Sequence, residues 1–441
     1  MGKPSVLALI LLAAVSTAAA AQEQRADLYT GSIGSIGSRR APGDGGWSGM
    51  SGASGDPRMT ADAIRSAAAN FRNCIADLWP AAARKGISRG VFDRSTASLT
   101  PDLHIMDLLD AQPEFTKSLW DYLDVLVTDE RIEKGRALLR KYGETFDRVE
   151  RTYGVSRYVI TAIWGVETSY GTLAGSTPVL RSTATLACVG RRQAYFRDEF
   201  LDTLEILQRG DLKPGKLIGS WAGAFGPTQF MPSAFKHYAV DFDGDGRRDV
   251  VDSVPDLVAS TANNLKKAGW YSGETWGYEV VVPANFDFRL ADRHRQMSIR
   301  EWERLGLARP HGQAFPHPDE QAFLLVPAGI QGPGFLMLHN FHVIMRYNPA
   351  EAYALAIGHL ADRLHGAPDF VQHWPRYERV LTRAERLELQ ERLVQRGFNV
   401  GDPDGRLGAR TRSAIRDFQR EIGRVPDGFA SAGLLQQLRT H

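Results

Sequence analysis

The sequence predicts a mainly α-helical domain with a small β region, followed by a separate module of three short helices. Apolar residues recur at helical spacing from Thr60 to about residue 153, and no strongly alternating strand pattern occurs before residue 167. Strand-like runs are confined to residues 275–345, where YEVVVP, AFLLVPAG and GFLMLHNF are separated by turns. The last 60 or so residues carry their own helical pattern, which indicates a second folding unit.

The first helical pattern begins after Thr60, and we expect it to stop at Pro80, because proline disrupts a helix interior. Its apolar stripe consists of Ile64, Ala68, Phe71, Ile75 and Leu78. Further helices are expected around residues 103–111, 113–126 and 129–153.

Residues 1–21 have the composition of a secretory signal, with a basic Lys3, an apolar run at 6–15 and small residues before a cleavage site near Ala21. The apolar run is too short to span a membrane, and no cysteine follows it to carry a lipid anchor. Residues 22–58 are rich in Gly and Ser, which predicts a flexible linker. We therefore expect a soluble protein exported to the periplasm.

The charge balance and the two cysteines give further limits. Lys and Arg number 53 against 51 Asp and Glu, so the chain carries no strong field for nucleic acid or a membrane surface. Cys74 and Cys188 are the two cysteines. In an oxidising compartment two thiols often pair. The alternatives are one disulfide or two buried free thiols.

Residues 154–171 contain the most informative helix, with the sequence GVSRYVITAIWGVETSYG. Ser156 stands where an N-cap belongs and Gly171 where a left-handed C-terminal residue belongs. Glu167 falls on the apolar face, so it should be buried. A buried carboxylate is either a general acid whose pKa burial raises or a structural group satisfied by its neighbours. The helix alone favours neither.

The run SWAGAFGPTQFMPS follows at residues 220–233. Gly219, Gly223 and Gly226 allow close backbone approach, while Ser220 and Gln229 offer polar groups beside aromatic rings. Such a mixture suits the wall of a carbohydrate groove. A tight glycine-rich turn packed below a core helix is an equal alternative.

Residues 241–252 read DFDGDGRRDVVD and match a Ca²⁺-binding loop. Carboxylates occur at loop positions 1, 3 and 5, a glycine at 6, a backbone carbonyl at 7 and a carboxylate at 12. The predicted ligands are Asp241, Asp243, Asp245, the carbonyl of Arg247, and Asp252. The alternative is an acidic turn in solvent.

The C-terminal segment, residues 381–441, is predicted to form a three-helix binding module after a linker at 367–380. Thr382 and Glu385 form a capping box before the first helix. The turns DPDG and VPDG echo each other between the helices, and no charged catalytic cluster is evident.

These motifs, in this order, resemble the membrane-bound lytic murein transglycosylase B family. The resemblance rests on Gly165, Val166 and Glu167 with Tyr170 and Gly171, then SWAGAFGPTQFMPS, the Asp-rich loop, and Tyr347 with Asn348. It assigns residues 59–366 to a catalytic domain. The run LQERLVQRGFNVGDPDGRLGARTRSAIRDFQREIG resembles a peptidoglycan-binding domain.

The resemblance implies a lysozyme-like fold and a single catalytic acid/base, Glu167. This residue would protonate the glycosidic oxygen between N-acetylmuramic acid and N-acetylglucosamine, and then accept the proton of the muramoyl C6 hydroxyl as that oxygen closes on C1. The product is a 1,6-anhydro end and no water is consumed, so the enzyme would be a lyase.

The resemblance also implies a set of substrate-binding residues and a structural Ca²⁺, with no organic cofactor. The substrate-binding residues are Ser220, Gln229, Tyr122, Tyr347, Asn348, Tyr353, Arg191 and Arg192. The expected partner is the glycan strand of peptidoglycan, bound by a monomer that has no lipid anchor.

Two other functions remain open from the sequence. A muramidase-type hydrolase would need a second carboxylate near Glu167, for which Asp198, Glu199 and Glu205 are candidates. A non-catalytic wall-binding scaffold would retain the C-terminal module and could lose Glu167, which this chain keeps.

Overall fold

The computed structural model describes residues 46–52, 55–109 and 118–440. The predicted signal at 1–21 and most of the predicted linker at 22–58 lie outside the described residues. Contacts divide the chain into two units. The first consists of the described residues up to 109 with Asp129–Ser272 and Ile344–Leu364, and the second of 118–128, Gly273–Val343 and 365–440.

Helices form most of the described chain. In order they are α1 (Ala61–Ala69), α2 (Phe71–Asp77), α3 (Trp79–Arg84), α4 (Arg89–Thr96), α5 (His104–Leu108), α6 (Leu119–Leu126), α7 (Asp129–Lys141), α8 (Gly143–Tyr153), α9 (Arg157–Thr168), α10 (Val179–Cys188), α11 (Gln193–Arg209), α12 (Pro232–Tyr238), α13 (Val254–Lys267), α14 (Ile299–Arg304), α15 (His339–Tyr347), α16 (Glu351–His365), α17 (Arg383–Gln395), α18 (Ala409–Glu421) and α19 (Ala432–Thr440). None of these helices combines the length and the apolar character that a membrane span requires.

The predicted apolar stripe of the first helices is buried at Ile64, Phe71, Ile75 and Leu78. The expectation that Pro80 ends this helical pattern is wrong. Pro80 lies in the first turn of α3, where its missing N–H has no helical partner to lose. The pattern is instead broken at the junctions of α1, α2 and α3.

The core of the first unit is built where α10 and α11 pack with the N-terminal helices. A disulfide joins Cys74 on α2 to Cys188 at the end of α10, with 5.9 Å between the Cα atoms. The bond therefore ties the first helices of the chain to the helix pair at the centre of this unit.

Strands are few and short in the described chain, and all but two of them lie within residues 275–345, the predicted β region. They are β1 (Thr177–Pro178), β2 (Ile218–Gly219), β3 (Gly277–Val280), β4 (Met297–Ser298), β5 (Gln321–Leu325) and β6 (Gly334–Met337). β1 and β2 form a two-stranded antiparallel pair, and the other four form an antiparallel sheet in the order β3-β6-β5-β4. Buried Trp302 of α14 donates from its indole N–H to the Ala322 carbonyl, which fixes this helix to the sheet.

The second unit also contains α17, α18 and α19. The predicted capping box is present, because Thr382 Oγ1 accepts the Glu385 N–H and the Glu385 carboxylate accepts the Thr382 N–H. Two buried glutamines hold the turns between these helices. The Gln390 side-chain oxygen accepts the N–H groups of Asp404 and Gly405, and the Gln419 side-chain oxygen accepts the Gly428 N–H. The mainly α fold with a small β region and three C-terminal helices is confirmed.

Residues 367–380 contain no helix or strand, and Trp374 in this segment stacks on Phe335 of β6. The segment thus runs along the sheet of the second unit before α17 begins.

Candidate active site

Glu167 is buried in the last turn of α9. Ser156 caps the start of this helix by accepting the Tyr158 N–H, and every residue from Val159 to Thr168 is buried. The Glu167 side chain is 1% exposed, as its place on the apolar face predicts. It meets Tyr353 of α16, whose hydroxyl donates to Glu167 Oε1 at 2.7 Å. Since Tyr353 is itself fully buried, this hydrogen bond constrains the orientation of the carboxyl group.

The end of α9 is bound to the segment that follows β2. Thr168 Oγ1 donates to the Pro227 carbonyl at 2.6 Å and accepts the Gly171 N–H at 2.8 Å. The Thr168 hydroxyl therefore joins the C-terminal end of α9, the glutamate helix, to the glycine-rich segment at residues 220–233. A displacement of either element would disturb its contact with the other.

The glycine-rich segment folds into a tight, buried turn. Ser220 Oγ accepts the Ala224 N–H at 3.1 Å, and the Ser220 N–H donates to the Ala224 carbonyl at 2.7 Å. A Cβ at Gly219 would overlap the Ala224 carbonyl, so only glycine fits there. Gln229 adopts a left-handed φ of 54°, and its Nε2 donates to the carbonyls of Ala174 and Gly226. The polar groups of Ser220 and Gln229 thus hold the turn together, and their contact with substrate stays a prediction.

Tyr347 is the last residue of α15 and Asn348 follows it, in the same unit as Glu167. The Tyr347 hydroxyl donates to the Thr228 carbonyl at 2.5 Å, which links it to the same glycine-rich turn. Asn348 Oδ1 accepts the Ala350 N–H at 3.2 Å and so shapes the entry into α16, the helix that carries Tyr353.

Three other predicted substrate residues make contacts with the protein. Tyr122 is buried in α6 of the second unit. Arg191 donates from Nη2 to the Leu109 carbonyl at 2.9 Å, and the Arg192 guanidinium lies 5.5 Å from the centre of the Tyr195 ring. Their part in substrate binding also stays a prediction.

The carboxylates considered for a hydrolase are occupied in other ways. Glu199 is buried on α11 and accepts both the N–H and the hydroxyl of Ser233, at 2.9 and 2.6 Å. Burial raises the pKa of Glu199, and the Ser233 hydrogen bonds oppose this rise. Glu205 pairs with Lys236 at 2.5 Å, and the Asp198 side chain is exposed. The arrangement supplies no argument for any of the three as a partner of Glu167.

A group of three carboxylates occurs at the predicted metal loop. Oxygens of Asp241, Asp243 and Asp256 lie within 4.8 Å of one another. Asp252, the predicted twelfth ligand, is not in this group, and its Oδ2 lies 2.7 Å from Lys216 Nζ. Asp245 is not in the group either, and its Oδ1 accepts the Arg247 N–H.

Sequence reasoning missed Asp256. This residue is buried in the first turn of α13, where its carboxylate accepts the N–H groups of Phe242, Asp243 and Asp249. Burial raises its pKa, while these bonds oppose the rise. The pattern Ser253-x-x-Asp256, an N-cap followed by an acid three residues later, is the signal that could have found it.

The fold and the glutamate helix define a lysozyme-like transglycosylase domain. The family model described as "Transglycosylase SLT domain" matches residues 70–362, and that described as "Putative peptidoglycan binding domain" matches 382–438. The chain therefore belongs to the transglycosylase SLT family.

Individual relatives agree with this membership. The crystal structure of SltB3 from Pseudomonas aeruginosa in complex with NAG-anhNAM-pentapeptide is 43% identical, with a TM-score of 0.80 over 84% of this chain and 99% of that one. SLT35 from Escherichia coli in complex with calcium is 29% identical, with a TM-score of 0.58 over 67% and 92%. Membrane-bound lytic murein transglycosylase B of Escherichia coli strain K12 is 35% identical over 54% of this chain, which spans 65% of that relative's length.

Proposed function

We propose that this protein is a lytic transglycosylase that cleaves the β-1,4 bond between N-acetylmuramic acid and N-acetylglucosamine in peptidoglycan and leaves 1,6-anhydro ends. The observation that carries the proposal is a buried Glu167 whose carboxyl group is oriented by Tyr353, within the domain that matches the transglycosylase family. Two crystal structures of one relative, SltB3, in complex with NAG-anhNAM-pentapeptide and with NAG-NAM-pentapeptide, add support for the substrate class.

In this proposal one carboxyl group performs both proton transfers. Protonated Glu167 gives its proton to the glycosidic oxygen as the C1–O4 bond breaks, so the leaving sugar departs as an alcohol. The resulting carboxylate then takes the proton of the muramoyl C6 hydroxyl while O6 bonds to C1. The proton count balances and no water enters. A buried carboxyl suits this cycle, because removal from water favours its protonated form before the reaction.

The test compares Glu167→Gln with Glu144→Gln, a matched change at an exposed residue in the first turn of α8. Isolated cell-wall sacculi are digested with each variant and with the natural protein, and the soluble products are identified by mass spectrometry. We expect anhydro-muramoyl products from the natural protein and Glu144→Gln, and none from Glu167→Gln. Full activity of Glu167→Gln would refute the assignment of the acid/base.

The same digest separates the lyase from a hydrolase. A hydrolase adds water and leaves reducing ends. Each reducing end is heavier than an anhydro end by one water molecule, about 18 mass units. If all the new ends are reducing ends, the proposed lyase reaction is wrong, while peptidoglycan remains the substrate. Absence of any cleavage with retained sacculus binding would favour a wall-binding scaffold.

We propose that Ser220, Gln229, Tyr122, Tyr347, Asn348, Tyr353, Arg191 and Arg192 contact the glycan. Support comes from the contacts of Tyr353 with Glu167 and of Tyr347 with the glycine-rich turn. The C-terminal module, matched at residues 382–438, would hold the glycan strand while the catalytic domain acts.

We also propose that Asp241, Asp243 and Asp256 hold a structural Ca²⁺. The three side chains offer the hard carboxylate oxygens that Ca²⁺ prefers, and Asp256 is already fixed by three backbone N–H groups. Bound there, the ion would supply positive charge that relieves repulsion among the carboxylates. A relative, SLT35, has been crystallised with calcium.

The proposed place of action is the periplasm, reached through the signal at residues 1–21. N-terminal sequencing of the secreted protein is the direct test. A mature chain that begins near residue 22 is expected, and an uncleaved chain would contradict it.

A further inference from the structure

The two residues that follow α9 adopt an unfavourable backbone conformation. Ser169 has a φ of 49° and Tyr170 a φ of 61°, and both precede Gly171, whose φ is 86°. A left-handed conformation is uncommon for a residue with a Cβ, and two in succession need support from the rest of the structure. This turn begins two residues after Glu167, so whatever holds the turn also acts on the end of the glutamate helix.

Helix α7 supplies that support through two cationic side chains. Arg131 Nη2 donates to Ser169 Oγ at 3.0 Å, and Lys134 Nζ donates to the Ser169 carbonyl at 3.0 Å. Lys134 also lies 5.8 Å from the centre of the Tyr170 ring. Both cations stand at the C-terminal end of α9, where the helix dipole favours positive charge.

The Tyr170 side chain completes the connection. Its hydroxyl donates to the Arg131 carbonyl at 2.9 Å, so the bond to Ser169 and the bond from Tyr170 converge on one residue of α7. A Cβ at Gly135 or at Gly165 would overlap the Tyr170 side chain. Two glycines, one on α7 and one on α9, therefore make room for this ring.

Arg131 itself is buried. The residue is 9% exposed, and burial lowers the pKa of its guanidinium. A charged group held away from water is a costly way to join two helices, because an apolar side chain of similar size packs without that desolvation. What a guanidinium adds is a directed hydrogen bond of fixed geometry.

We propose that Arg131 is a positioning residue for Glu167. By holding Ser169 and Tyr170 in the left-handed turn, it fixes the last turn of α9 and so the direction in which the Glu167 carboxyl points. The inference deepens the proposed function and rests on it, because it assumes that Glu167 carries the chemistry.

The test begins with Arg131→Ala and, as a matched control, Arg140→Ala, which removes an exposed arginine from the same helix. Turnover of a soluble muropeptide is followed at a temperature at which both variants are folded. A small displacement of a catalytic group costs about tenfold to hundredfold in rate. We expect that loss in kcat for Arg131→Ala, with KM within about twofold of the natural value, and no change for Arg140→Ala.

A double-mutant cycle asks whether Arg131 acts through the turn. If it does, Ser169→Ala lowers kcat in the same way, and the combined variant loses no more than either single change. Arg131→Lys should restore part of kcat, since an ammonium can still reach a hydroxyl. If Arg131→Ala does not fold, Ser169→Ala and Arg131→Lys provide the same comparison.

A lowered melting temperature with kcat within about twofold of the natural value would overturn the inference, because a purely structural contact moves stability alone. Fully additive losses in the cycle would overturn it as well. Failure of the proposed function is recognised separately: Glu167→Gln would then remain active, whatever the Arg131 variants do.

Discussion

Two helices of the first unit each bury one glutamate, and their environments differ. Glu167 on α9 and Glu199 on α11 are both 1% exposed. Glu199 receives the N–H and the hydroxyl of Ser233, a residue at the start of α12, and so ties α11 to α12. Glu167 receives a tyrosine hydroxyl from α16, next to a turn of unusual backbone conformation.

Burial of a carboxyl group therefore does not by itself identify a catalytic acid. The Glu199 site is built from donors that favour the carboxylate, which is how a structural acid is satisfied. The Glu167 site is surrounded by constraints on orientation, from Tyr353, from Thr168 and from the turn beyond it. We infer that orientation distinguishes the proposed catalytic group, since proton transfer depends on geometry as well as on pKa.

The largest difference is expected between Glu167→Gln and Glu199→Gln. Removal of an acid/base group costs about 10² to 10⁴ in rate, so Glu167→Gln should lose at least a hundredfold in kcat. Glu199→Gln keeps the size of the side chain, and its amide can donate to the Ser233 hydroxyl. We expect its kcat to be unchanged and its melting temperature to shift. Turnover assays and thermal unfolding of both variants decide the point, and an inactive but folded Glu199→Gln would break the comparison.

A second pair of variants removes the hydroxyl group that donates to each glutamate. Tyr353→Phe leaves the ring in place but removes the hydrogen bond to Glu167 Oε1, and we expect kcat to fall about tenfold to hundredfold because the carboxyl group loses one constraint on its orientation. Ser233→Ala should instead lower the free energy of unfolding by about 1–3 kcal/mol, the cost of removing a hydrogen bond from a buried carboxyl group, with kcat unchanged. Denaturant unfolding and turnover are measured for both. Equal effects of the two variants on kcat would argue against a special role for Tyr353.

Another buried carboxylate, Asp256, is expected to respond to metal. Removal of Ca²⁺ by a chelator should lower the free energy of unfolding by about 2.7 kcal/mol if the free ion had been present at a hundred times its Kd. Asp256→Asn should abolish this response, and Asp252→Asn, which lies outside the carboxylate group, should retain it. Melting curves with and without chelator test all three proteins. An unchanged melting temperature of the natural protein on chelation would contradict an occupied loop.

The smallest effect should appear as a dependence of stability on pH. Burial raises the pKa of Glu199 above its ordinary 4.5 in the folded state, so the folded protein retains this proton to a higher pH than the unfolded chain does. The contribution of Glu199 to stability therefore falls as pH rises above 4.5, and it levels off above the folded-state pKa. Glu199→Gln lacks this titration, so its stability relative to the natural protein should rise over the same interval. A constant difference across that interval would contradict the raised pKa.

The sequence correctly predicts those features of the fold that depend on residues close together in the chain. The buried stripe at Ile64, Phe71, Ile75 and Leu78, the N-cap at Ser156 and the capping box of α17 each depend on residues a few positions apart. The burial of Glu167 follows from helical spacing alone. The helix stop predicted at Pro80 is wrong, because proline disrupts a helix interior but is favourable in the first turn of a helix.

The parts that were missed depend on distant residues. The Tyr353 hydroxyl reaches Glu167 across 186 positions of sequence, a distance that no local pattern spans. Gly171 was expected as the left-handed residue after α9, but Ser169 and Tyr170 are left-handed too, because α7 holds them there. Asp252 was predicted by its position in a loop template, and its part in metal binding stays a prediction. The template does not reach Asp256, which the chain brings to Asp241 and Asp243.

The disulfide between Cys74 and Cys188 has a topological consequence. It closes a covalent ring of the chain, with a sequence separation of 114, and α9 with Glu167 lies inside that ring. The three C-terminal helices lie outside it. Once the bond has formed, the unfolded ring can explore far fewer shapes than an open chain, while the C-terminal arm keeps its full freedom. In the unfolded chain the disulfide therefore confines the segment that carries Glu167, whereas it leaves the segment of the peptidoglycan-binding module unconfined.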